Sequence, residues 1–284
     1  MMNVRQLGPV VLLALARPAL GQDAPRSPDV HFVATPMEVV ETMLDVTRVG
    51  PKDVVYDLGS GDGRIVITAA SRRGARGVGI DIDPERIKES RVNADSAGVK
   101  GRVAFRQADL FTSDLREASV VTLYLLPLLN QRLLPKLYRE LRPGTRIASN
   151  AFDMGEWKAD SVIEVPGKVG GTHEVYYWLL PADVSGHWTV MVKGGERYGL
   201  SLEQRYQEIE GSATLAGREA ALELARVKGD SLVFTLDGSR YRGWVNGGNA
   251  KGTVTDGNGG TRDWTATRRS RGRGPVPPHM VGRN

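Results

Sequence analysis

The sequence predicts an α/β protein, a doubly wound seven-strand sheet, followed by a smaller all-β region of barrel type. Three observations predict it. Between Phe32 and Pro181, short β-branched or aromatic runs alternate with segments of helical character. A glycine-rich stretch, DLGSGDGR from Asp57 to Arg64, closes the first of those runs and opens a helix. From about Val184 the pattern changes to short alternating stretches punctuated by glycine.

The strand runs of the first part are VVYDL, GVGID, RVAFRQAD, VVTLYL, TRIASNA, SVIEV and HEVYYWLL. Helical segments include PMEVVETMLDVT, PERIKESRVNADSAG and LNQRLLPKLYRELRPG. In the last of these, Leu129, Leu133, Leu137 and Leu141 recur every four residues as one apolar stripe, and Pro135 is expected to begin or kink a helix. Alternation of this kind predicts a parallel sheet covered by helices on both faces. Beyond it, HWTVMV, YGLSLEQRYQEIEG, AALELARVKG, SLVFTLDG, YRGWVNGG, KGTVTDGNGG and RDWTATR have the spacing of meandering antiparallel strands. Closure into a small barrel or sandwich removes the exposed edges of such short strands. The organisation expected is a leader at 1–21, a linker at 22–31, the α/β domain at 32–181, the β domain at 184–268 and a basic tail at 269–284.

Both ends are compositionally distinct. The start, MMNVRQLGPVVLLALARPALGQDAP, has a cationic beginning, a short apolar run and small residues at Ala14 and Ala16 or Ala19 and Gly21, the layout of a secretory signal peptide. It is too short for a transmembrane helix, which needs about 20 apolar residues. The formal net charge of +5 is concentrated at the other end, where the segment from Arg268 carries five arginines and no acid. That tail is expected to be disordered and solubilising, and specific nucleic-acid binding does not follow from it.

Composition excludes several chemistries. With no cysteine among 284 residues, disulfides, thiolate metal sites and cysteine nucleophiles are ruled out. The four histidines, His31, His173, His187 and His279, lie far apart without paired metal-ligand spacing, so no metal site is expected.

The glycine-rich stretch carries the chemistry. A strand that ends in such a turn and opens a helix is expected to present bare backbone N–H groups and the positive end of a helix dipole at the sheet's carboxyl edge. A dinucleotide fingerprint needs glycine at its first, third and sixth positions, and the sixth counted from Gly59 is Arg64. Here Gly59, Gly61 and Gly63 alternate, and Asp57 stands two residues before the first. A diphosphate gains nothing from an acid at that place, whereas a ligand carrying an ammonium group as well as a carboxylate does.

This pattern resembles the first motif of the seven-strand, Rossmann-like class I methyltransferases, which bind S-adenosylmethionine. The resemblance covers about Phe32 to Leu180 and implies that Asp57, Gly59, Ser60, Gly61 and Gly63 form the cofactor turn, with the aspartate near the methionine amino group. Asp81 ends the next strand, 18 residues beyond Gly63, where parallel-sheet geometry places an acid that accepts both ribose hydroxyls. Asp83, followed by Pro84 and Glu85, is instead a helix N-cap with proline at the first helical position. Asp109, in RQADLF, stands where the family commonly has an acid facing the adenine amino group.

The acceptor depends on the fourth strand. Amino methylases of nucleobases typically carry Asn-Pro-Pro-Tyr or Asp-Pro-Pro-Tyr there, and this sequence has LYLLP from Leu123 to Pro127. The combination FVATPMEVVETML, DLGSGDGRIVITAA, VTLYLLPLLNQRLLPKL and RIASNAFDMGEW resembles the lysine methyltransferases related to those that modify the ATP synthase c subunit. That resemblance implies a protein lysine as substrate. Tyr124 is the best-placed polar side chain to orient the amine, with packing on the sheet edge as its other reading, and Leu123, Leu125 and Leu126 are either a dry channel or sheet core. The alternative function is an exported, non-catalytic protein that keeps the fold to bind a nucleoside-type ligand.

Overall fold

The computed structural model describes residues 32–167, 171–195 and 197–276. The leader at 1–21 and the linker at 22–31 lie outside the described residues, as does the tail from residue 277. Two sheets organise the chain. No helix among the described residues is long and apolar enough to cross a membrane.

The first sheet uses α1 (Met37–Val46), β1 (Val54–Leu58), α2 (Arg64–Arg73), β2 (Arg76–Asp81), α3 (Pro84–Ser96), β3 (Val103–Gln107), β4 (Val120–Leu123), α4 (Pro127–Glu140), β5 (Arg146–Asn150), β6 (Ser161–Pro166) and β7 (Thr172–Leu179). Its strand order is β3-β2-β1-β4-β5-β7-β6. All seven strand runs form strands. The sheet is mixed rather than parallel throughout, because β7 runs antiparallel to both β5 and β6. Only residues 167–171 separate β6 from β7, enough for a hairpin and too few for the crossover that a parallel pair requires.

Both faces of this sheet are covered. Val55, Val120, Ala148 and Val175 pack under α1, α2 and α3, while Tyr56, Leu58, Val121, Leu123 and Ile147 pack under α4. The leucine stripe on α4 faces that second core, with Leu133 and Leu137 fully buried and Leu129 at its margin. The helix does not begin at Pro135. It starts at Pro127 and runs through Pro135 to Glu140, since burial of the leucine stripe outweighs one missing backbone donor.

The second sheet comprises β8 (Gly186–Val192), β9 (Arg197–Arg205), β10 (Glu208–Leu215), β11 (Arg218–Ala221), β12 (Glu223–Lys228), β13 (Ser231–Leu236), β14 (Ser239–Asn246), β15 (Asn249–Thr255) and β16 (Thr261–Arg271), all pairings antiparallel. Pairing of β9 with β10 closes it into an eight-stranded barrel, with β11 attached as an extra strand on the edge of β10. Every second residue points inward, as the alternation in β13 and β14 shows. The interior is filled by Trp188, Tyr198, Phe234, Tyr241 and Trp264 with aliphatic neighbours.

The basic tail does not begin where the sequence suggested. β16 continues past Arg268, pairing Ser270 with His187 and Arg271 with Gly186. Arg268 is itself held, 3.2 Å from Asp183 and over the Trp188 ring at 4.7 Å, so strand pairing and a partly buried charge pair order the first arginines.

Candidate active site

The strand order reverses between β2-β1 and β4-β5, and ligands of doubly wound sheets bind outside the carboxyl ends of the strands at that point. A cavity of about 460 Å³ lies there. Asp57, Gly59, Ser60, Asp81, Asp109 and Tyr124 line it, so six of the eight site residues read from the sequence come together.

Asp57, at the end of β1, is the most perturbed of them. It is 3% exposed, and its Oδ1 accepts a 2.7 Å hydrogen bond from the Thr122 hydroxyl on β4. Burial pushes its carboxyl up to about 7; the Thr122 bond opposes this, and the Asp81 and Asp62 carboxylates reinforce it. A buried carboxylate beside two further acids gains most from a cationic ligand group.

The glycine turn works differently from the expectation of bare N–H groups. The amides of Gly59 and Ser60 both donate to the Ile80 carbonyl, Gly63 donates to the Ser60 carbonyl, and Gly61 donates to Asp81 Oδ2 at 2.8 Å. These donors are spent inside the fold, so the cavity is walled by side chains and backbone edges rather than by an amide cradle. Gly61 and Gly63 do not line it. Gly61, at φ 51°, leaves room for the Phe32 ring, which an added Cβ would meet at 2.1 Å. Gly63, at φ 80°, is the N-cap of α2 and packs against Phe105 and Ser90. Ser60 Oγ is buried with no hydrogen-bond partner.

Asp81, at the end of β2, accepts from Gly61 through Oδ2 and from the Asp83 amide through Oδ1 at 2.9 Å. Its carboxylate is thereby fixed at the cavity wall, with lone pairs left for a ligand. Asp83 caps α3 by accepting from the Glu85 amide at 2.8 Å, with Pro84 at the first helical position. Asp109 accepts from the Phe111 amide at 2.8 Å, which turns the chain after β3 and brings Phe111 to the cavity.

On the β4 side, Tyr124 and Leu125 line the cavity and Leu123 does not. Leu123 is sheet core, fully buried against α4, and Leu126 is exposed. The Tyr124 ring stacks on Phe152 with centroids 6.3 Å apart and planes 24° from parallel.

Sequence reasoning missed the wall that comes from outside the strand ends. Asp62, one residue past Gly61, lines the cavity and forms a 2.5 Å ion pair with Arg64. Arg64 in turn donates to the Thr35 carbonyl at 2.8 Å, tying the chain before α1 to the turn. Phe32 and Arg86 pair across the opening at 5.0 Å. Asp62 was visible within the motif itself; Phe32 and Thr35 reach the site by tertiary packing and carry no local signal.

Residues 57 to 161 match the model of the ANTKMT methyltransferase domain. The chain is 43% identical over 155 residues to a protein-lysine N-methyltransferase of Saccharolobus islandicus, spanning 54% of this chain and 95% of that protein. It is 33% identical over 153 residues to the human lysine N-methyltransferase of the ATP synthase c subunit, spanning 54% of this chain and 64% of that one. The crystal structure of an RNA methyltransferase from Salinibacter ruber in complex with S-adenosyl-L-homocysteine matches with a TM-score of 0.50 and 54% identity, over 52% of this chain and 93% of that chain.

Fold and comparisons together define an S-adenosylmethionine-dependent methyltransferase. Within that class, the chain belongs to the seven-strand family that includes the lysine methyltransferases above, and it carries an appended C-terminal β-barrel. A non-catalytic binding protein on the same fold is not favoured by these relatives.

Proposed function

We propose that the chain methylates the side-chain amine of a lysine in a protein. The observation that carries this reading is the exit of β4, where Tyr124 and Leu125 face the cavity in place of the proline pair of nucleobase amino methylases. Two relatives whose names specify lysine support it.

When bound, the cofactor supplies an electrophilic methyl group on a positively charged sulfur. Asp57 suits the cofactor's ammonium group, because a buried carboxyl raised by desolvation is stabilised in its charged form by a cation. Asp81, held by two backbone amides, presents its remaining lone pairs to the ribose hydroxyls. Asp109 suits the adenine end, and Gly59 and Ser60 line the cavity with it. Gly61 and Gly63 shape the turn beside the cavity lining.

The acceptor amine has to be neutral to use its lone pair, against a reference lysine pKa of about 10.4. Leu125, Leu129 and Phe111 give the cavity an apolar side that disfavours an ammonium ion. Tyr124 accepts a hydrogen bond from the amine and aligns it. The cavity lining holds no histidine or glutamate as a general base, and with Asp57, Asp81 and Asp109 assigned to the cofactor the amine's proton passes to solvent in this reading.

An RNA acceptor is the second reading, favoured by the description of the Salinibacter ruber enzyme. Incubating the protein with tritiated S-adenosylmethionine and a protein and RNA extract of the native organism separates the two. Label in methylated lysine after hydrolysis is expected; label in RNA with none in lysine overturns the proposal.

A further inference from the structure

The matched 155 residues make up 95% of the Saccharolobus islandicus protein, which is therefore too short to hold both sheets, and the barrel needs a role of its own. It meets the first sheet at the Gly229 turn, which lies against Gly144 and Leu179, and at the turn between β9 and β10. Arg205 pairs with Glu208 there, leaving Tyr206 and Gln207 as a two-residue turn. The Gln207 carboxamide is engaged at both ends: Oε1 accepts from the Trp157 indole at 2.9 Å, and Nε2 donates to the Lys158 carbonyl at 3.0 Å. Tyr206 stacks on the Trp157 ring, with centroids 6.1 Å apart and planes 16° from parallel. Arg205 reaches Glu156 at 3.0 Å.

These contacts of the β9–β10 turn all fall on one segment, residues 151–158, which follows β5. Its far side is held by α4, whose Asn130 donates to the carbonyls of Phe152 at 3.3 Å and Asp153 at 3.1 Å. Ala151 takes φ 64°, a conformation that a non-glycine residue keeps only where its surroundings impose it. Phe152, next in the chain, is the residue stacked on Tyr124. The barrel turn thus holds Trp157 and Lys158, the Met154–Trp157 bridge and the short chain between carry that hold to Phe152, and Phe152 stacks on Tyr124 at the cavity wall.

We infer that the barrel is the scaffold of the acceptor side of the active site, and that Gln207 is a positioning residue for methyl transfer, acting through residues 151–158 on Phe152 and Tyr124. This rests on the reading of Tyr124 as the residue that aligns the acceptor. The cofactor side is built from β1, β2 and the glycine turn, which the barrel turn does not touch, so the two sides respond separately.

The test uses the full-length protein with Gln207→Leu, which keeps the bulk and removes both hydrogen bonds, and Gln207→Glu, which keeps only the acceptor for Trp157. Hydrogen exchange read by peptide is expected to rise in Gln207→Leu at 151–158 and also at 123–128, and to stay unchanged at 57–64. Turnover on whichever acceptor the wild-type protein labels, lysine or RNA, is expected to fall about tenfold to a hundredfold, with S-adenosylhomocysteine affinity within about twofold of wild type. Gln207→Glu falls between the two proteins. Label in RNA would overturn the lysine reading and leave this inference testable on RNA. Unchanged exchange at 123–128, or a parallel loss of cofactor affinity, would overturn the inference itself.

Discussion

Thr122 on β4 and Asp57 on β1 are joined by a 2.7 Å hydrogen bond across the point where the strand order reverses. One neutral donor does not offset the burial of the Asp57 carboxylate, whose pKa stands at about 7 against an ordinary 3.8. The folded protein therefore binds a proton here more tightly than the unfolded chain. Stability from this group is full below about pH 4 and declines as pH rises to about 7, the reverse of the usual aspartate case.

Asp57→Asn should remove that decline. Relative to wild type, the variant gains on the order of a few kcal/mol at about pH 8 and little at about pH 4. It should also lose cofactor affinity. Denaturant unfolding at the two pH values checks the first point and calorimetry the second. Parallel stability profiles for the two proteins would mean that Asp57 does not titrate in this range.

Cofactor binding should itself depend on pH. An ammonium group pairs with the charged carboxylate, so affinity for S-adenosylhomocysteine is expected to be flat from about pH 7 until the ligand's own amino group loses its proton, and to fall about tenfold per unit below about pH 7. Calorimetry in buffers of different ionisation enthalpy reads the released proton directly. Equal heats in all buffers at about pH 6 would count against the assignment.

Asp81→Ala should weaken cofactor binding by about one to two orders of magnitude, since charge-assisted hydrogen bonds contribute roughly 1.5 to 3 kcal/mol each. The same change releases the amides of Gly61 and Asp83, so a lower melting temperature should accompany it. Unaltered affinity would remove Asp81 from the ribose site.

Gly61→Ala and Gly98→Ala form a matched pair. Both glycines have positive φ, but an added Cβ meets Phe32 at 2.1 Å in the first case and nothing within 4 Å in the second. Each should lose about 1 to 2 kcal/mol to backbone strain. Only Gly61→Ala should also displace Phe32 and reduce cofactor affinity, and equal affinities in the two variants would show that Phe32 does not matter to the cavity.

Tyr124→Phe should lower turnover while leaving S-adenosylhomocysteine affinity unchanged. In both proteins the rate is expected to rise with pH, about tenfold per unit, until the acceptor amine is neutral. A profile that is flat from about pH 7 to 9 would point to an enzymatic base instead.

Much of the first sheet was legible because its strands are short runs rich in β-branched and aromatic residues, the first three closed by an acid or a glycine, and the leucine period of α4 fixes its buried face. The antiparallel return of β7 was legible in principle, since five intervening residues permit only a hairpin. Asp57, Asp81 and Asp109 were readable because each ends a strand at the same edge of one sheet, or follows it within two residues. Phe32, Thr35 and Gln207 were not readable. They reach the first sheet from a segment before α1 or from the barrel, and neither charge nor periodicity marks a residue for contact with a chain segment tens of positions away. Pro135 left two readings open, a helix start or a kink, and the first is set aside because burial of the leucine stripe carries the helix through it.

The barrel's first and last strands, β8 and β16, lie side by side, so the ring that β9 and β10 complete also needs the last strand in place. During synthesis the strands of the first sheet are complete once Leu179 has emerged, whereas the barrel cannot close until Arg271 is available. The turn at Tyr206 also bonds to the Pro275 carbonyl, later still in the chain. The strands that build the cavity are therefore synthesised well before the piece that braces residues 151–158. A chain terminated within the barrel would carry all seven strands around the cavity without a closed barrel, so its acceptor side is expected to lack support.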